Sequence, residues 1–193
     1  LYEIQDIIET LEKFIKTFII KYEYENIGII KKFRIDSRKN LEIDERKWCR
    51  LFLRKSCLNY CCKIILLRVF EDKGKIKSKL NSEGIAVWNK LVKNIKDRYD
   101  KLYDIAIIDI TNDEDITFLK SVFAESDYDI YEIDKELASI IVHGLSNIDL
   151  KDITNEDLKI IFRTLYPLDE REEYGFNDFY KKAPALDYIL SLE

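Results

Sequence analysis

Apolar residues recur at spacings of three and four near the start of the chain: Ile4, Ile7, Ile8, Leu11, Phe14, Ile15, Phe18, Ile19 and Tyr22, with charged residues between them. This period matches the turn of an α-helix and predicts one long amphipathic helix over residues 1–25. "NIGIIKKFRIDSRKN" (26–40) breaks the pattern with short β-like runs. An irregular connection or a small hairpin around Gly28 is expected there. From Asp44 the helical period returns through Trp48, Leu51, Phe52, Cys61, Ile65, Leu66 and Val69 to Phe70, and around "SCLNYCCKIILL" polar positions nearly vanish. A helix apolar almost all round belongs in the centre of a domain. Buried there, Arg68 needs a carboxylate, and Glu71 or Asp72, at i+3 or i+4, is in reach. Gly74 suits the left-handed position that ends such a helix.

Ser82 is the expected N-cap of a helix carrying Ile85, Trp88, Leu91, Val92, Ile95, Tyr99, Leu102 and Tyr103 at helical spacing; "DIAIIDI" (104–110) either finishes it or forms a short extended piece. Asp113, Glu114 and Asp115 open a short helix, "DITFLKSVFAES", and "DYDIYEI" reads as extended or looped. Asp134 begins "KELASIIVHGL", with Gly144 as its terminator and His143 either in the last turn, where a helix C-terminus favours a cation, or simply buried. Thr154 and Asp157 have capping-box spacing ahead of Leu158, Ile161, Phe162 and Leu165, and Pro167 stops the helix. A polar loop, "LDEREEYGFNDFYKK", leads to a last short helix at "PALDYILSL". The expected fold is mainly α, a multi-helix bundle-like domain with minor extended segments. Residues 1–166 form the helical domain, and 167–193 a connecting loop and short helix.

Composition agrees with this class. Five Gly and two Pro are too few for the turns of a sandwich or barrel. The chain opens on Leu1 and has no Met, so it is read as a fragment of something longer. No apolar run approaches the roughly 18 to 20 residues a bilayer requires, and no cleavable leader opens the chain. No membrane partner and a cytoplasmic location are expected. Cys49, Cys57, Cys61 and Cys62 fall close together, but Cys57 and Cys61 share a helical face that Cys62 leaves, and the one histidine, His143, is distant. They read as reduced, core-packing residues with no metal site.

Charge divides the chain. Residues 31–99 carry 20 Lys+Arg against 8 Asp+Glu, a balance of +12, whereas residues 100–193 carry 9 against 23, a balance of −14. A basic half suits phosphate; an acidic half suits solvent, a basic partner, or the basic half itself. The candidates for phosphate contact are Lys31, Lys32, Arg34, Arg38, Lys39, Arg46, Lys47, Arg50, Arg54 and Lys55, among which Arg46, Arg50 and Arg54 stand in an i, i+4 row. Phosphate-loop, nucleophile-elbow and zinc-protease signatures are absent, and no Asp is followed by a Glu-x-Lys on an extended segment, as a metal-dependent nuclease would need. No residue of the chain is assigned a catalytic role.

Two stretches resemble a known family. "CCKIILLRVFEDKGK" is similar to a helix of the combined restriction endonuclease and N6-adenine DNA methyltransferases (type IIG) and their phage-defence relatives: apolar residues, Leu-Arg, an apolar pair, then Glu-Asp-x-Gly. "NEDLKIIFRTLYPLDEREEYGFNDFYKKAPALDYILSL" resembles the passage in those proteins from helical domain to methyltransferase domain, where a Gly-x-Phe-Tyr-Thr-Pro motif packs beside S-adenosylmethionine. The matching positions are Phe179, Tyr180 and Pro184. Gly175 is separated from Phe179 by three residues, and Lys181, Lys182 and Ala183 stand where Thr-Pro should follow. The family's Gly-rich cofactor loop and its Asn-Pro-Pro-Tyr/Phe motif occur nowhere in these residues. The resemblance therefore implies a non-catalytic spacer that contacts double-stranded DNA and the methyltransferase domain of its parent. S-adenosylmethionine would serve the parent and not this fragment. The alternative is a stand-alone helical protein-interaction module with an acidic binding face.

Overall fold

The computed structural model describes residues 2–25, 28–38, 44–167 and 183–193. Among these residues the elements are α1 (Ile4–Tyr22), α2 (Gly28–Arg38), α3 (Glu45–Asp72), α4 (Ser82–Leu91), α5 (Tyr99–Asn112), α6 (Thr117–Phe123), α7 (Lys135–Leu145), α8 (Asn155–Leu165) and α9 (Pro184–Leu190), with no β-strand. The mainly α, bundle-like expectation is met.

α3 is the axis of the fold. Asp44 caps it by accepting from the Lys47 backbone N–H at 3.1 Å, and its 28 residues hold neither Gly nor Pro, so it runs about 42 Å without a break. Its end is the expected one: Gly74 has φ +65, and the N–H of Lys75 returns to the carbonyl of Phe70 at 2.8 Å. From Leu51 to Val69 only Arg54 escapes full burial. α1, α2 and α9 pack along α3. α1 packs in turn on α7 and α8, and it buries Ile7, Leu11, Phe14, Ile15 and Phe18, the stripe read from its periodicity.

Several expectations are corrected. Residues 28–38 form a helix, neither an irregular connection nor a hairpin: Ile30 and Phe33 lie one turn apart, and the Phe33 ring sits 5.2 Å from Phe52 and 6.4 Å from Trp48 on the first turns of α3. That contact outweighs the β preference of the neighbouring isoleucines. The helix expected from Ser82 onward is two helices, because the chain turns at Val92 and restarts at Tyr99. Asn81 rather than Ser82 is the N-cap, its Oδ1 accepting from the Gly84 N–H at 3.0 Å. "DIAIIDI" completes α5, and 127–133 is non-helical chain that places Tyr128, Tyr131 and Ile133 in the core.

Gly144 does not terminate α7 but lies inside it. A Cβ there would stand 2.3 Å from Thr10 Cγ2, so the missing side chain lets α1 and α7 approach. His143 is exposed in the last turn, its ring meeting Tyr99 edge-on at 5.0 Å. The capping box of Thr154 and Asp157 forms as read. The boundary placed at Pro167 does not separate the last helix from the rest. Ala185, Leu186 and Ile189 of α9 are fully buried, and Asn59 of α3 caps the helix by accepting from the N–H groups of Ala185 (3.1 Å) and Leu186 (3.3 Å).

Candidate functional site

Arg68, Glu71 and Asp72 are the most conspicuous polar residues of the apolar helix, and all three are held inside the fold. The Arg68 guanidinium donates to the carbonyls of Leu145 (2.6 Å) and Ile148 (2.8 Å) and to Asp72 Oδ2 (3.1 Å). Asp72 also accepts from the Leu150 N–H (2.9 Å) and from Asn81 Nδ2 (3.0 Å). Of the two carboxylates in reach, Asp72 is therefore the partner. Glu71 turns the other way and accepts from the backbone N–H groups of Leu80 (2.9 Å) and Asn81 (2.8 Å). Burial pushes its pKa up, and those N–H groups oppose the shift. The trio clasps the 73–81 loop and the 145–150 turn to the end of α3. Beside it lies a cleft of about 300 Å³ lined by Glu71, Lys77, Lys79, Asp109 and Asp113, crossed by the Lys79–Asp109 ion pair at 2.5 Å.

The basic candidates separate into two groups. Lys31 and Lys32 on α2, and Arg46 and Arg50 on the first turns of α3, are exposed and have no ion-pair partner among the described residues. Because α2 packs on the start of α3, all four belong to one corner of the molecule. Lys47 beside them is half-buried. Deeper along the helix the surface role disappears. Arg54 donates to the Leu165 carbonyl at 2.7 Å, and Lys55 is 3% exposed with its ammonium 5.2 Å from the centre of the Tyr128 ring. The row expected at Arg46, Arg50 and Arg54 thus leaves the surface after two residues. The side chains of Arg34 and Arg38, and Lys39, Phe179 and Tyr180 entirely, lie outside the described residues. Pro184 is the first residue of α9, where its fixed φ suits a helix start.

A feature that sequence reasoning missed is the polar row Lys55, Asn59 and Lys63, spaced i, i+4, i+8 on one buried face of α3. Asn59 caps α9, and Lys63 is paired with Asp129 at 2.7 Å and donates to the Ala124 carbonyl at 3.2 Å. Burial lowers the pKa of Lys55, opposed by the charge of Asp187. The spacing is visible in the sequence, but three polar residues in an apolar run do not reveal which loops will meet them. Cys57, Cys61 and Cys62 are buried and free, Cys49 is half-buried, and burial pushes the thiols of Cys57 and Cys62 up. Among the described residues no cluster of three or more His, Cys, Asp or Glu side chains is placed to hold a metal ion, and no helix is long and apolar enough to cross a membrane.

No protein-family model, curated protein or solved structure matches this chain.

Proposed function

We propose that this chain is a non-catalytic helical domain that contacts the phosphates of double-stranded DNA through its α2–α3 corner. The observation that carries the reading is the set Lys31, Lys32, Arg46 and Arg50: four exposed cations without carboxylate partners among the described residues, on two helices that pack together. Lys63, Lys79, Arg98 and Lys135, by contrast, are matched with aspartates, so they offer less to an anion. Free cations on a rigid support bind phosphate by releasing condensed counterions, independently of base sequence. Arg68, Glu71 and Asp72 serve such a domain as its internal clasp. Their resemblance to the Leu-Arg and Glu-Asp-x-Gly helix of type IIG and phage-defence N6-adenine DNA methyltransferases supports placing it as the spacer of such an enzyme, in the cytoplasm. The parent's methyltransferase domain would bind S-adenosylmethionine.

Binding of the chain to a labelled random duplex across a salt series tests this. Micromolar affinity that falls steeply with salt, and that is abolished in Lys31→Glu/Lys32→Glu/Arg46→Glu/Arg50→Glu, is the expected result. A steep salt dependence surviving all four reversals would overturn it.

A second reading is favoured by a different face. On α5 and α6, Ile105, Ile108 (55% exposed) and Phe118 (62% exposed) stand among Asp104, Asp109, Glu114 and Asp115. Exposed apolar side chains on segments rich in exposed carboxylates suit a basic, apolar protein surface better than solvent.

A further inference from the structure

α4 is lightly anchored. Only Gly84 and Trp88 of its residues are buried, and its outer side presents Val87 (49% exposed) and Leu91 (74% exposed) one turn apart. Lys90 lies on the same side, and the turn that follows adds Lys93, Ile95 (48% exposed) and Lys96. The turn is fixed against the helix: Trp88 Nε1 donates to the Lys96 carbonyl at 2.9 Å, the Ile95 and Arg98 N–H groups close tight turns, and Asp97 is tied to Lys135 at 2.5 Å. Lys90, Lys93 and Lys96 have no ion-pair partner among the described residues. The nearby carboxylates are already engaged, Glu83 by Ser78, Asp97 by Lys135 and Asp100 by Arg98. The result is a preformed patch of three aliphatic side chains interleaved with three free cations.

The same chain carries the complement. The α5–α6 face offers Ile105, Ile108 and Phe118 with Asp104, Asp109, Glu114 and Asp115, and among its exposed carboxylates Glu114 and Asp115 make no ion pair with a described residue. We infer that the α4 patch of one chain docks on the α5–α6 face of a second copy, aliphatic against aliphatic and lysine against carboxylate. Opposed charge steers the two faces together, and the apolar residues supply the area that leaves water. DNA alone would not account for the patch, since Val87, Leu91 and Ile95 have no role against phosphate. The inference shares the acidic face with the second reading above and is independent of DNA binding, so either can fail without the other.

The test is sedimentation velocity of the chain from micromolar to millimolar concentration, without nucleic acid, at low and high salt. The expected result is a mass that rises above the monomer with concentration and falls back in high salt. Leu91→Asp, at a site too exposed to unfold the helix, is expected to weaken association at least tenfold with an unchanged circular dichroism spectrum. Lys90→Glu/Lys93→Glu/Lys96→Glu and Glu114→Lys/Asp115→Lys are each expected to be monomeric alone and to associate when mixed, because each then supplies the charge that the other has given up. A chain that stays monomeric at every concentration, association indifferent to Leu91→Asp, or reversed variants that fail to associate on mixing would overturn the proposal.

Discussion

Arg68 and Asp72 stand one turn apart on α3, Nη2 3.1 Å from Oδ2, and through them the carbonyls of Leu145 and Ile148 and the N–H of Leu150 are tied to the central helix. Both side chains are nearly inaccessible, at 2% and 8% exposure. Removing one member of such a pair strands the other in a medium that solvates charge poorly. Arg68→Met is expected to cost about 3–5 kcal/mol in urea unfolding. Arg68→Lys is expected to recover little, because a single ammonium cannot span two carbonyls and a carboxylate as the guanidinium fork does. A destabilisation under about 1 kcal/mol for Arg68→Met would show that the clasp does not hold the fold.

Gly144 and Thr10 give a pair that can be tested by relief. Gly144→Ala would bring a methyl within 2.3 Å of Thr10 Cγ2 and is expected to destabilise by about 1–3 kcal/mol. Thr10→Ala removes the two nearest atoms, so the double variant is expected to be more stable than Gly144→Ala alone, a coupling measurable in a double-mutant cycle. Gly84→Ala meets the Lys79 backbone at 2.2 Å instead, and no side-chain change is expected to rescue it.

At the α2–α3 corner, every phosphate deprived of its cation should flatten the slope of log affinity against log salt by about 0.9. Arg46→Gln/Arg50→Gln is expected to flatten it by about 2, whatever the base sequence of the duplex. Arg54→Gln is expected to leave the slope unchanged, since its guanidinium is directed to the Leu165 carbonyl. The two slopes together test whether Arg46 and Arg50, and not Arg54, meet phosphate.

Tyr2 donates to Asp157 Oδ2 at 2.6 Å and joins the start of α1 to the cap of α8. Hydrogen bonds from Thr154 first, and then from Tyr2, hold the Asp157 carboxyl below the usual carboxylate range, while Tyr2 is pushed up to about 12, chiefly by that same bond to Asp157. A depressed carboxylate stabilises the fold above its unfolded pKa of about 3.9 and ceases to do so as pH falls through its lower folded value. The raised tyrosine stabilises below its unfolded value of about 10 and ceases to do so as pH climbs to about 12. Both effects, followed by unfolding midpoint against pH, are expected to shrink in Asp157→Asn.

The thiols should report the packing of α3. Cys49 is half-buried and is expected to react first with an aromatic disulfide reagent, whereas Cys57, Cys61 and Cys62 are expected to react at the rate at which the fold opens. Rapid reaction of all four in the native state would contradict the burial of that helix.

Periodicity alone determined most of the helical plan. The apolar stripe of α1, the all-round apolar stretch of α3, the left-handed Gly74 and the Thr154–Asp157 box are local patterns, set by side chains within a turn or two of one another. At the candidate corner the sequence marked the charges but could not sort them: Arg50 and Arg54 are one turn apart, yet only Arg50 is exposed, because the end of α8 brings the Leu165 carbonyl to Arg54. The same limit applies to α2, whose isoleucines read as strand until Phe33 meets Phe52, and to Gly144, which reads as a terminator until Thr10 is placed against it. It applies to α9, which reads as leading out of the domain but is capped by Asn59, 126 residues earlier in the chain. Local hydrogen bonding and hydrophobic spacing are written in consecutive residues. Which polar group meets which backbone across the core depends on how the helices cross, and that is decided only when distant segments pack together.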